Sequence, residues 1–184
     1  MTHRIAALAF LLLTTTSTLR ADWKYAANRY DLRTATTTAD GTSPDGAIKA
    51  QLIVKYTPAK DGTITIEFVV EGADKLKGFG FDSFEGPEAA AADAKLTRFV
   101  VERPGAKPVT VLTKVGGWYL GKAFIFAASE ANATPGEILK AVRALQAGAT
   151  KITVSVQDSK TAQRQLRAEF ATGGAPDALT KLLK

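Results

Sequence analysis

Two carboxylates, Asp82 and Glu85, lie three residues apart in the run Gly78-Phe-Gly-Phe-Asp-Ser-Phe-Glu-Gly86. Two acids beside apolar rings are the set a glycan hydrolase uses, one kept protonated by burial and the other ionised. The same spacing also suits a surface turn rich in glycine, which is the preferred reading. Trp118 and Tyr119 follow Gly116-Gly117 and could form an aromatic platform for a sugar or a peptide. In strands such rings more often pack in a core or at its rim. The candidate ligand-binding set is therefore Phe81, Asp82, Phe84, Glu85, Trp118 and Tyr119, with no catalytic residue assigned. Asp40 and Asp45 stand near glycines in Asp40-Gly-Thr-Ser-Pro-Asp-Gly46. Calcium takes oxygen ligands from such loops, but the spacing departs from the EF-hand pattern, and turn chemistry is the simpler account.

The missing residue types narrow the chemistry further. The chain has no Cys, and its one His is His3. If the first residues are removed, neither remains. That excludes Ser-His-Asp and Cys-His catalysis, zinc held by His or Cys, thiol redox chemistry and disulfides. No cofactor and no metal is expected.

The start of the chain reads as a secretory leader. A basic Met-Thr-His-Arg is followed by nine apolar residues, 5–13, and then by a Thr- and Ser-rich stretch to Ala21. The three parts match a signal peptide, and the apolar run is far short of the roughly 20 residues a membrane span needs. Residues 1–21 are thus expected to be removed, leaving 22–184 as a single exported domain, periplasmic or secreted. The leader takes Arg4 and Arg20 with it, so 22 bases face 18 acids, a balance of +4. That mild positive charge favours anionic envelope polymers. It lacks the clustered stripe of a nucleic-acid binder.

Alternation of apolar and polar residues places the strands. Residues 48–56 and 63–70 alternate on either side of an Asp-Gly turn, predicting an antiparallel hairpin with one buried face. Strands are also expected within 22–32, 96–103, 109–115 and the apolar run 118–126, and 34–46 reads as a polar loop. Residues 88–94 have helix propensity but little length.

The last quarter has the clearest punctuation. Thr134, Pro135 and Glu137 spell a capping box with Pro at the first helical position. The apolar stripe Ile138, Val142 and Leu145 follows, and Gly148 ends the helix. Residues 152–157 and 165–171 alternate as a hairpin, and Pro176 opens a short last helix. The whole unit reads as a cover for the upstream strands. Its motifs, Leu145-Gln-Ala-Gly148, Ile152-Thr-Val-Ser-Val156, Arg167-Ala-Glu-Phe170 and Asp177-Ala-Leu-Thr-Lys-Leu182, resemble the C-terminal part of exported proteins of the invasion-associated locus B family and envelope proteins associated with type VI secretion. The resemblance implies a β-sandwich-like envelope domain without an established catalytic site. Members often carry cysteines, which this chain lacks, and no functional residue carries over.

The expected fold is mainly β, an antiparallel sandwich-like domain with one packed helix and a short C-terminal helix. The expected function is non-catalytic binding of an envelope protein or an anionic envelope polymer, with no nucleic acid and no transmembrane segment after leader removal. Two alternatives stand beside it. One is a carrier of an apolar small molecule in a cavity among Phe79, Phe81, Phe84, Phe124 and Phe126. The other is a carboxylate-dependent glycan hydrolase.

Overall fold

The computed structural model describes residues 22–58, 62–86, 89, 91, 94–130 and 135–184. The leader and Thr134 lie outside them, as does most of 88–94. The described residues form ten strands and two α-helices. The strands are β1 (Lys24–Ala27), β2 (Arg33–Ser43), β3 (Gly46–Thr57), β4 (Thr63–Val70), β5 (Thr97–Arg103), β6 (Ala106–Thr113), β7 (Gly116–Leu120), β8 (Ala123–Ser129), β9 (Lys151–Gln157) and β10 (Gln165–Ala171). The helices are α1 (Glu137–Gln146) and α2 (Ala175–Leu182).

All strand pairs are antiparallel and make one sheet, ordered β6-β5-β9-β10-β2-β3-β4-β8-β7, with β1 also on β2. The fold is thus mainly β, as the alternation requires. Strands β4 and β10 are three places apart, which in a flat sheet is about 14 Å. Yet the rings of Phe68 on β4 and Phe170 on β10 meet edge to face at 6.3 Å. The sheet therefore curls until its apolar faces touch, and one sheet makes both layers of the core. Ile64, Ile66 and Phe68 point into that core.

Helix α1 closes the curl. Its buried stripe of Ile138, Ala141, Val142 and Leu145 packs on β5 and β6 and also on β4, strands from both arms of the sheet. Helix α2 lies on β1 and β2 and is tied to α1 by Gln146 Nε2 donating to Thr180 Oγ1 at 3.1 Å.

Several expectations are corrected. Residues 34–46 are not a loop: Arg33–Ser43 is β2, with Ala35 and Thr37 buried and Thr36 and Thr38 turned outward. Five threonines between 34 and 42 hid the pattern by polarity, although branched Thr fits a pleated strand well. The run 118–126 is a hairpin, broken at Gly121, whose φ of 61° turns the chain between β7 and β8. Strand β6 runs through Pro108, which is tolerated because β6 is an outer strand.

Helix α1 starts later than the capping box implies. Its N-cap is Gly136, and the Glu130 carboxylate accepts from the N–H groups of Gly136 (2.6 Å) and Leu139 (2.8 Å). An anion at the positive end of the helix does the capping. At the other end Gly148, with φ of 94°, takes the left-handed position and donates to Leu145 O, as expected.

The last quarter is also more than a cover. β9 and β10 sit in the middle of the strand order and join the β5–β6 hairpin to β2, β3 and β4.

Candidate functional site

Strand β7 forms one end of the sheet, and the six nominated residues gather around it. Its glycines explain the geometry. A Cβ on Gly117 would stand 2.3 Å from the Phe124 ring, so only glycine lets that ring lie flat under the strand. Pleating then puts Tyr119 on the same face as Gly117, and Trp118 and Leu120 on the opposite one. Trp118 shares that outer face with its partner Ile125 and, one strand on, Val69. Trp118, Tyr119 and Leu120 are 41%, 37% and 66% exposed in sequence.

Residues 79–86 pack against this strand. Phe81, Asp82, Ser83 and Phe84 make a single 3-10 turn. Its three-residue period aims Phe81 and Phe84 inward together and leaves Asp82 in water. Rings of Phe79, Phe81, Phe84, Phe124 and Phe126 meet at centroid distances of 4.8–6.2 Å. They occupy the space the carrier reading would need for its ligand. Phe81 and Phe84 therefore support the rim from inside rather than line it.

Two aspartates that the sequence did not single out for this task hold the segment in place. Gly80 N donates to Asp158 Oδ2 at 2.8 Å, and Gly78 N to Asp45 Oδ2 at 2.7 Å. Asp158 is buried and also accepts from the amides of Lys160 and Thr161. Asp40 pairs with Lys49 instead of meeting Asp45. The two acids of the calcium reading thus serve separate contacts.

Glu85 bridges to Gly117, where Gly86 N donates to Gly117 O at 3.3 Å. This covers the free edge of β7 at its start. Among the described residues, Trp118, Tyr119 and Leu120 have no strand on that side. The Tyr119 ring stands edge-on to Phe124 at 4.9 Å. Burial of the phenol raises its pKa above 10, and the negative charges of Asp82, Glu85 and Asp74 add to the rise.

The rim thus offers apolar rings, carboxylate acceptors and a short open strand edge. Of the nominated residues, Asp82, Glu85, Trp118 and Tyr119 are all exposed along β7 and the turn packed on it, with Trp118 on the opposite face from Tyr119, and Leu120 shares Trp118's face unforeseen. Its alternation with Trp118 was the available signal, obscured while 118–126 read as one run. Among the described residues no group of three or more His, Cys, Asp or Glu is placed to hold a metal, and no helix is long and apolar enough to cross a membrane. Comparison of the chain with protein-family models, curated protein sequences and solved structures returns no match.

Proposed function

We propose that this chain is an exported envelope domain that acts by binding, and that the β7 rim holds an extended segment of an envelope protein. The observation that carries this reading is the unbroken exposure of Trp118, Tyr119 and Leu120 on an edge strand. An open edge supplies backbone donors and acceptors to an added strand. Large rings at such an edge are a liability unless a partner covers them, and Trp and Tyr are enriched where partners dock. Asp82 and Glu85 at the flank favour a segment that carries a Lys or Arg. The leader-like residues 1–21 and the resemblance of the C-terminal unit to envelope proteins support export.

Site-specific photocrosslinking in the producing cell tests the proposal. A photoreactive phenylalanine analogue at position 118 or 120 is expected to give a discrete adduct with one envelope protein, and the same group at Lys140 none. A ladder of polymer adducts at 118 and 120 would instead identify an envelope glycan. Adducts at Lys140 alone would refute the rim as the contact surface. Mass spectrometry of the same material is expected to give an N-terminus within a few residues of Asp22, and an intact Met1 in the cytoplasm would refute export.

A further inference from the structure

A second feature lies at β2, with β3, β4 and β8 between it and β7. Two strands share one edge of β2. β1 pairs with it up to Lys24↔Thr36, and β10 only at Arg167↔Thr42 and Ala168↔Gly41. Residues 37–40 fall between the two registers. There the sheet opens into a cleft of about 730 Å3, lined by residues 36–40 of β2, Gln51 of β3 and residues 169–171 of β10, with the buried Thr37 and Phe170 among them, together with Asp22, Lys24, Thr150 and Lys151. That volume lies in the range of roughly 300–1,000 Å3 that takes small ligands.

The lining mixes polar and apolar surface, and its fixed charges are largely paired already. Lys151 Nζ stands 3.2 Å from Glu102 and 3.4 Å from Glu169. Glu169 also accepts from Arg167 at 2.5 Å, and Asp40 pairs with Lys49. An anion would have to take Lys151 from two carboxylates, and a cation would have to take Glu169 from two bases. The ionic groups left over, Asp22 and Lys24, are one of each sign. What remains for a ligand is the hydroxyls of Thr36 and Thr38, the Gln51 amide, the lone pairs of Thr150 Oγ1, whose proton goes to Glu102 O, and the spare lone pairs of the paired carboxylates. The Thr36 and Thr38 hydroxyls and the Gln51 amide can both donate and accept, as do the hydroxyls of a sugar, while the carboxylates only accept. Thr36, Thr38 and Gln51 stand on paired strands, so they are held in place before a ligand arrives. Ala171 also lines the cleft, where a larger side chain would reduce its volume.

We infer that the cleft between β1 and β10 binds a neutral, hydroxyl-rich ligand of the size of a short saccharide. The site is separate from the β7 rim and does not depend on it.

The test is amide NMR on the isotopically labelled exported protein. The probes are maltotriose, cellotriose and chitotriose, with trigalacturonate and calcium chloride as charged counterparts. At least one neutral trisaccharide is expected to give saturable shifts confined to residues 36–40 and 169–171. Thr38→Val and Ala171→Leu should each weaken that binding about tenfold or more by removing a hydrogen bond and by filling the cleft. Trp118→Ala should bind like the parent, so failure of the rim proposal leaves this one standing. Absence of saturable shifts at those residues with all three neutral sugars would overturn the inference. So would tighter binding of trigalacturonate or calcium, or undiminished binding by Thr38→Val in a protein with the parent's melting midpoint.

Discussion

Gly117 and Tyr119 show how the rim depends on single atoms. A Cβ at 117 meets a buried aromatic ring, whereas one at Gly116 meets open space. Gly117→Ala is therefore expected to cost about 1–3 kcal/mol through forced displacement of Phe124, and Gly116→Ala much less. Urea unfolding of the two variants side by side checks this, and equal midpoints would contradict the packing described. Tyr119 offers an independent probe. Its phenol should ionise above 10, chiefly because burial disfavours the phenolate and secondly because carboxylates stand near it. In an ultraviolet titration Tyr119→Phe should delete a late-ionising component. Asp82→Asn with Glu85→Gln should shift that component down only part of the way, since burial is the larger cause. A component unchanged by Tyr119→Phe would place the phenol elsewhere than beside Phe124 and the acids.

At the scale of elements, α1 gives the sharpest contrast. Leu145 is fully buried between the helix and the curled sheet, while Lys140 lies in water. Leu145→Ala should cost roughly 2–5 kcal/mol, because it leaves a cavity and loses transfer energy. Glu130→Ala should cost about 1 kcal/mol by freeing two helix N–H groups. Lys140→Ala should be near neutral. Denaturant midpoints in the order Leu145→Ala, Glu130→Ala, Lys140→Ala, lowest first, are the expected result. A Glu130 variant matching the Lys140 control would show that the helix start does not rely on that carboxylate.

At the scale of the whole molecule, the strand order makes the C-terminal quarter indispensable. A chain ending before residue 135 loses β9 and β10 from the middle of the sheet, and with them the link between β5–β6 and β2–β4. Such a chain is expected to show no cooperative thermal transition and to aggregate through its new edges. A truncated protein that stayed soluble and melted cooperatively would show that the upstream strands form a domain alone. The full chain should melt as one unit, because Phe68 and Phe170 bring distant strands into a single core.

The alternation at 48–56, 63–70, 152–157 and 165–171 was legible because a sheet with one buried face writes its period of two into the sequence. The helix Glu137–Gln146 and its stop at Gly148 were legible too, since periodicity and a left-handed glycine are local properties. The missing Cys and the lone His3 bounded the chemistry without any structure. Strand β2 was not legible, because threonines on both faces erase the contrast in polarity that marks a strand. The cap from Glu130 was not either, because the carboxylate reaches the helix from outside the capping motif. Only the tertiary structure decided that Phe81 and Phe84 fill the core while Trp118, Tyr119 and Leu120 stay at its edge. The same glycine-punctuated aromatic pattern serves either place, and which one it takes depends on the strand lying next to it. The cleft at β2 arises for a like reason: it exists because two strands far apart in the chain meet one edge and leave four residues between them.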